Sequence, residues 1–205
     1  MGRRLARLIF GLVLFGLGIA IMVMAGLGLS PWEVLHQGIA EQTGVPIGTV
    51  GIITGLFVLL LWIPLRERIG LGTVLNVILI GLVIDATLFV FDYGGEPLWI
   101  RTTMMLVGVL LIGIGSGFYI GAGLGPGPRD GLMTGLARRG YPIGRVRVGL
   151  EITVLVLGWL LGGTVGVGTV VFAFGMGPLV AWFLPLLTFE PETAPAPPPT
   201  PSGAS

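Results

Sequence analysis

Four polar side chains stand out in an otherwise strongly apolar chain, because each could bind an ion or a polar solute. Asp85 and Asn76 lie inside the apolar stretch at about 72–91, and Glu33 and Asp130 follow glycine- and proline-rich segments. A charged aspartate at the centre of a bilayer costs roughly 2.5–3.5 kcal/mol on insertion scales, so Asp85 should face protein or water. A carboxylate held there can bind a proton or a cation. The sequence predicts these four residues as the candidate substrate or ion site.

Each of these side chains also has a purely structural interpretation. Asp85 can be a protonated or hydrogen-bonded acid near the outer end of its span, and Asn76 can join helices through its amide. Glu151 lies four residues after Arg147, a spacing that predicts a local ion pair on one helix face. His36 is the single histidine; a pH-sensing role for it would need a partner that the sequence does not reveal.

Several kinds of chemistry are excluded by residue type. The chain has no cysteine and one histidine, which argues against a zinc site, a thiol nucleophile or a histidine-based triad. It contains no HExxH motif and no Walker loop, and its glycine strings follow no predicted soluble strand. We therefore expect no enzyme activity, no metal, no cofactor and no binding of nucleic acid.

The acids Glu33 and Asp130 belong to one motif that occurs twice. The segment GLGLSPWEVLHQGIA at 26–40 is matched by GLGPGPRDGLMTGLA at 123–137, and Glu33 falls opposite Asp130 at an offset of 97. The same offset pairs two glycines and a proline of each copy, namely Gly26, Gly28 and Pro31 with Gly123, Gly125 and Pro128. The match extends in both directions, so the chain is two copies of one unit of roughly 90 residues.

Each copy of the motif predicts a break in a long helix followed by a short helix. At 30–42, Ser30 suits an N-cap, the proline after it suits the first helical position, and Glu33 three residues on completes a capping box. The short helix is interfacial or re-entrant. Two interpretations stay open: the acids are helix caps, or the helix N-termini present free N–H groups to an anionic or polar substrate.

The elements that carry these residues are membrane-spanning helices. More than half of the residues are apolar and only 10% are charged, far below the roughly 25% typical of a soluble protein. Apolar stretches of the length that crosses a bilayer occur six times, at about 6–28, 49–65, 72–91, 101–121, 146–162 and 167–188. We predict an all-α membrane protein with six transmembrane helices.

The connections between these spans differ in charge. All basic residues are arginines, and ten of the eleven, all except Arg101, fall on one side of the predicted topology. The positive-inside rule makes this side cytoplasmic, together with both termini. Since each repeat contains three spans, an odd number, the second repeat must be inverted relative to the first. Secondary transporters use such inverted repeats, with the binding site between the two halves.

The predicted organisation is a first three-helix repeat at 1–92, a second at 93–189, and a tail at 190–205. The tail is rich in proline, which predicts disorder on the cytoplasmic side. The lipid bilayer is then the main partner of the chain.

At the motifs GLGLSPWEVL and GLGPGPRDGL, with the PIG triplets that follow them, the chain resembles bacterial membrane proteins of the YczE/YyaS/YitT family. The resemblance covers about residues 5–188. It implies a multi-pass protein of the bacterial cytoplasmic membrane, and it supplies no catalytic or binding residues.

Two functions fit these observations. The first is a small-solute transporter or permease of unknown substrate, which works by rocking of the two inverted units or by assembly as a homodimer. The alternative is a non-transporting scaffold or regulator that docks a cytoplasmic partner through the basic 122–145 connection and the tail. The scarcity of charge inside the spans motivates this alternative, because coupled transport generally uses intramembrane acids.

Overall fold

A computed structural model describes residues 1–91 and 94–188. Eight helices and no strand occur within these two ranges. In chain order they are α1 (Gly2–Ala25), α2 (Pro31–Thr43), α3 (Ile47–Leu65), α4 (Leu71–Val90), α5 (Leu98–Gly121), α6 (Pro128–Ala137), α7 (Ile143–Leu160) and α8 (Val167–Leu187). The order long, short, long, long of the first four helices therefore recurs in the last four. The predicted proline-rich tail at 190–205 lies outside the described residues.

The six predicted spans correspond to the six long helices. Five of them, α1, α3, α4, α5 and α8, are long and apolar enough to cross a membrane. Helix α7 also forms where a span is predicted, but in its 18 residues it carries Arg145, Arg147 and Glu151 and is not among these five. The helical fold class is confirmed, with five such spans.

Helices α1 and α5, which are equivalent in the two repeats, pack along each other with opposite chain directions. A Cβ atom at Gly18 would lie 2.7 Å from the carbonyl oxygen of Gly108, and one at Gly11 would lie 2.8 Å from that of Gly115. Gly108 is the repeat copy of Gly11, and Gly115 is the copy of Gly18. Each contact therefore has a counterpart in which the two halves exchange roles.

The copied glycine segments also bind across the halves in a reciprocal way. At the start of α8 the Gly168 amide donates to the Leu27 carbonyl, and at the start of α4 the Gly72 amide donates to the Leu124 carbonyl, both at 2.8 Å. The middle of each segment passes so close to the opposite helix start that only glycine fits. Gly28 has φ +112°, and a Cβ there would lie 2.6 Å from a backbone nitrogen of the other half.

The short helices pack mainly against the opposite half. Helix α2 packs along α7, and α6 packs against α3, where the Trp62 indole donates to the Pro128 carbonyl at 3.0 Å. The halves differ in one respect. Helices α3 and α4 pack closely together, whereas their counterparts α7 and α8 barely touch. The space between the two halves consequently extends between α7 and α8.

Candidate functional site

A cavity of about 510 Å³ lies between the two halves of the molecule. Both copies of the repeated motif line it, through Ser30–Glu33 at the start of α2 and Gly127–Asp130 at the start of α6. The other polar or charged lining residues are His36, Thr54, Asn76, Ser116, Tyr119, Arg147 and Glu151. Most of the wall is apolar, as is usual for a site that binds a small molecule. Three of the four predicted candidates, Glu33, Asn76 and Asp130, are therefore brought to one cavity.

Glu33 forms a buried ion pair with an arginine from the other half. Its Oε1 atom lies 2.5 Å from Nη2 of Arg129, and the side chains are 5% and 31% exposed, respectively. The guanidinium also lies over the Trp32 ring, 5.0 Å from its centroid. Burial favours the protonated form of Glu33, but the charge and the hydrogen bond of Arg129 outweigh it and hold the pKa of Glu33 below its ordinary value. The N-terminal ends of the two short helices are thus joined by a salt bridge.

His36 lies one turn after Glu33 and faces the same cavity. Its Nδ1 atom is 3.8 Å from Oε1 of Glu33, which is the partner that the sequence did not reveal. Burial lowers the pKa of His36 to about 4, with Arg129 acting in the same direction and Glu33 opposing it. The imidazole is consequently neutral at pH 7, and its contact with Glu33 is not an ion pair at that pH.

Acidification is expected to destabilise the protein through His36. The unfolded chain takes up a proton near pH 6.5 and the folded chain only near pH 4, so the free energy of unfolding falls as the pH drops through this window. The full contribution is about 3 kcal/mol. Unfolding curves of detergent-purified protein at pH 7, 5.5 and 4.5 should show a loss that the His36→Gln variant lacks. Equal losses in both proteins would contradict this assignment.

The capping box predicted for Ser30 and Glu33 is wrong. Ser30 is the N-cap residue and Pro31 begins the helix, as predicted, but no side-chain hydrogen bond caps α2. The Glu33 carboxylate binds Arg129 instead, because this buried charge requires a cationic partner. The Ser30 hydroxyl and the Trp32 indole nitrogen are buried beside the cavity, and neither has a hydrogen-bond partner among the described residues.

Asp130, the repeat counterpart of Glu33, lies at the exposed side of the cavity. Its Oδ2 atom accepts a hydrogen bond from the Tyr119 hydroxyl at 3.1 Å. The Asn76 amide lies near the same point, since polar atoms of all three side chains lie within 4 Å of the position that a Cβ of Gly127 would occupy. Asn76 and Asp130, which are distant in sequence, thus belong to one polar cluster, and Tyr119 completes it.

Asp85 is not among the cavity-lining residues that the structure describes. Its carboxylate instead fastens the beginning of α3 to α4. Oδ1 accepts a hydrogen bond from the Gly48 amide at 2.6 Å, and Oδ2 accepts one from the Thr49 hydroxyl at 2.7 Å. The equivalent residue in the second half is Ala181, which cannot make these bonds. These two hydrogen bonds to Asp85, called the Asp85 clip below, therefore occur only in the half in which α3 and α4 pack closely.

Removal of this clip should weaken the α3–α4 contact. The Asp85→Ala variant leaves the Gly48 amide and the Thr49 hydroxyl without their acceptor, at an expected cost of about 1–2 kcal/mol of unfolding free energy. The Thr49→Ala variant removes one of the two bonds and should cost about half as much. Denaturant titration of the purified proteins measures both. An Asp85→Ala protein as stable as the wild type would contradict the structural role.

The sequence does not predict two features of this site. It does not predict the pairing of Glu33 with Arg129, because Arg129 belongs to the arginine-rich 122–145 connection, where no single arginine stands out. It does not predict the role of Tyr119, because an isolated tyrosine in an apolar helix forms no pattern. The repeat itself contains a signal for the ion pair. When the two copies are aligned, Arg129 takes the position of Trp32, so the second copy has an arginine that the first copy lacks. The local ion pair predicted for Arg147 and Glu151 is confirmed, at 3.2 Å.

Comparisons with known proteins place this chain among membrane proteins without an assigned activity. The family described as "Family of unknown function (DUF6198)" matches residues 2–185. An uncharacterized protein of Haemophilus influenzae (strain ATCC 51907 / DSM 11121 / KW20 / Rd) is 44% identical over 186 residues, which cover 90% of this chain and 85% of that protein. The uncharacterized membrane protein YczE of Bacillus subtilis (strain 168) is 35% identical over 182 residues, covering 85% of this chain and 82% of its own.

A further relative, the uncharacterized protein YyaS of Bacillus subtilis (strain 168), is 25% identical over 186 residues, which cover 86% of this chain and 90% of that protein. No solved structure matches the chain. The relatives YczE and YyaS confirm the resemblance inferred from the repeated motif.

Proposed function

Because the chain belongs to the family of unknown function DUF6198, whose description names no activity, we propose its function from the cavity: it is a permease for a small solute. The observation that carries the proposal is that both copies of the motif line one cavity between the halves. We propose further that the protein resides in a bacterial cytoplasmic membrane with both termini in the cytoplasm, as the distribution of arginines indicates.

The contacts between the halves support an inverted repeat. The equivalent helices α1 and α5 run in opposite directions, and the glycine contacts along them occur in exchanged pairs. The reciprocal bonds of Gly168 and Gly72 follow the same exchange. A two-fold axis perpendicular to α1 and α5 relates such pairs, and this axis lies in the membrane plane when the helices span the bilayer. Transporters with this symmetry bind their substrates at the interface of the repeats.

The difference between the halves supports alternating access. Helices α3 and α4 are held together by Asp85, whereas α7 and α8 are separated. In an inverted pair these two contacts lie towards opposite sides of the membrane. We propose that the structure represents the state open on the α7–α8 side, and that transport exchanges the open and closed contacts between the halves. Asp85 then stabilises one of the two states.

The alternative function, a docking scaffold, is less well supported by the contacts of the basic 122–145 connection. Arg138 pairs with Glu67 at 3.1 Å, and Arg139 donates to the Pro64 carbonyl. Both arginines thus join the connection after α6 to the C-terminal end of α3 and to the residue Glu67 that follows it. Both side chains stay exposed, but each already has an intramolecular partner that recognition of a cytoplasmic protein would have to replace.

Transport into proteoliposomes tests the proposal, with a variant that fills the cavity. Gly177 lines the cavity on α8, and a Cβ there meets no atom within 4 Å. The Gly177→Leu side chain therefore fills part of the cavity without a clash at its Cβ. Gly149 on α7 is equally unobstructed and does not line the cavity, which makes Gly149→Leu the matched control. A panel of radiolabelled amines, amino acids and sugars should include a solute that accumulates with the wild type and with Gly149→Leu, and at least tenfold more slowly with Gly177→Leu. Uptake equal to that of empty vesicles across the panel would reject the permease.

A further inference from the structure

The polar cluster at the start of α6 has a geometry that selects one kind of ligand. Around the position that a Cβ of Gly127 would take, Oδ2 of Asp130 and Oη of Tyr119 each lie 3.3 Å away and Nδ2 of Asn76 lies 3.7 Å away. These side chains come from α6, α5 and α4, respectively, and all of them line the cavity. Because residue 127 is a glycine, the space beside these three polar atoms is left open, and a side chain there would fill part of it. The equivalent position in the first copy is Ser30.

Asp130 is the one lining carboxylate that lacks a cationic partner among the described residues. The other lining carboxylates, Glu33 and Glu151, are paired with the lining arginines Arg129 and Arg147. The only described side chain that hydrogen-bonds Asp130 is Tyr119, a neutral phenol. The described wall of the cavity therefore carries one negative charge without a paired cation, on a carboxylate that is open to the ligand, and a cation that enters the cavity would be attracted to it.

The chemistry of the three side chains favours a primary ammonium group. The Asp130 carboxylate accepts hydrogen bonds through both oxygens, and the Tyr119 oxygen keeps a free lone pair while its proton is donated to Asp130. The Asn76 amide presents its oxygen when it is rotated by half a turn, since the two orientations are indistinguishable by shape. Three acceptors then face the three donors of an R–NH₃⁺ group. The apolar wall beyond them, which includes Trp32, suits the carbon body of such a ligand.

We propose that Asp130, Tyr119 and Asn76 form the head-group subsite for a small primary amine, which is the substrate class of the permease proposed above. That the amine is transported rests on the proposed permease function, whereas binding of the amine rests only on the three side chains. An anion is disfavoured because the Glu33 carboxylate already occupies Arg129.

Binding is tested on the purified full-length chain with n-butylammonium chloride as the probe. Ligand binding to the folded state raises the thermal unfolding temperature, and the concentration dependence gives Kd. Three controls are used at equal concentrations. Sodium chloride supplies an inorganic cation without an apolar chain, sodium butyrate supplies a chain with a negative charge, and n-butanol supplies a chain without charge. We expect n-butylammonium alone to stabilise the protein. Stabilisation by sodium chloride to the same extent would show an inorganic cation site, and stabilisation by butyrate or butanol would show unspecific binding; either result overturns the proposal.

Two variants locate the subsite. Asp130→Asn removes the charge and should weaken n-butylammonium binding at least tenfold, whereas Glu41→Gln, an exposed acid of α2 that does not line the cavity, should leave it unchanged. Gly127→Ala keeps every charge and fills the space between the three side chains, so it should weaken binding severalfold. It keeps the test decisive if Asp130→Asn fails to fold. Unchanged affinity in either folded variant overturns the proposal.

The same preparation separates this inference from the permease. Binding of n-butylammonium without uptake into proteoliposomes would reject transport and leave the amine subsite standing. Uptake of another solute without any binding of n-butylammonium would reject the subsite and leave transport standing.

Discussion

Replacing Arg129 by glutamine is expected to lower the free energy of unfolding by about 2–3 kcal/mol. The substitution leaves the Glu33 carboxylate, 5% exposed, without its cationic partner. Loss of one member of a buried ion pair typically costs about 3–5 kcal/mol, and we expect less here because the Arg129 side chain is 31% exposed. The contact of the guanidinium with the Trp32 ring is lost as well. Chemical denaturation in mixed micelles measures the difference.

The double variant Glu33→Gln with Arg129→Gln separates the lost pairing from lost packing. It removes both charges and should recover most of the loss, because no uncompensated charge is left buried. Arg147→Gln is the matched control, since its pair with Glu151 is largely exposed and should contribute less than about 0.5 kcal/mol. If Arg129→Gln destabilised no more than Arg147→Gln, the salt bridge between the two short helices would have no structural weight.

Most of the helical framework could be predicted from the sequence because it depends on local properties. Apolar stretches of spanning length predict the long helices to within a few residues, and the proline after Ser30 predicts the beginning of α2. Gly44 ends that helix with a positive φ, as glycine does at helix C-termini. These signals are read within a few residues of the element that they determine, so no knowledge of tertiary contacts was needed.

The composition of the cavity could be predicted only in part, since it depends on which residues meet across the halves. Polar character in an apolar chain predicts Glu33, Asn76 and Asp130 as site residues, and all three line the cavity. The same property predicts Asp85, whose carboxylate instead serves the α3–α4 contact. Hydropathy shows that a polar group needs a partner, and only the packing shows whether that partner is another helix or a bound solute.

Each copy of the duplicated motif both contacts the opposite half and contributes an acid to the cavity. Its glycines dock onto the opposite half, through the close approach of Gly28, and its acids project from the following short helix towards the cavity. A duplicated sequence folded about a two-fold axis places its two copies in equivalent environments, so the same glycines are needed twice. The residues at 32 and 129 and at 33 and 130 differ between the copies. This difference makes the Glu33–Arg129 salt bridge available and leaves Asp130 free of a cationic partner among the described residues.

The Gly28→Ala variant is expected to lose at least 3 kcal/mol of unfolding free energy, more than Asp85→Ala or Thr49→Ala. It should also yield little monodisperse protein. Two costs combine: φ of +112° is a conformation that residues with a Cβ rarely adopt, and the new Cβ would lie 2.6 Å from the backbone nitrogen of Gly166. The Gly166 nitrogen is a backbone atom, which cannot move aside as the end of a flexible side chain can, so the segment must withdraw from the start of α8.

The Gly44→Ala variant separates these two costs. Gly44 also has a positive φ, +72°, but a Cβ there meets no atom within 4 Å. Its substitution should cost only about 1–2 kcal/mol, the price of a left-handed conformation for a residue with a Cβ. The difference between the two variants, measured as free energy of unfolding or as the fraction of protein in a monodisperse chromatographic peak, then reports the contact between the halves. Equal losses in Gly28→Ala and Gly44→Ala would mean that the motif merely turns the chain and that the reciprocal docking of the two halves does not hold the molecule together.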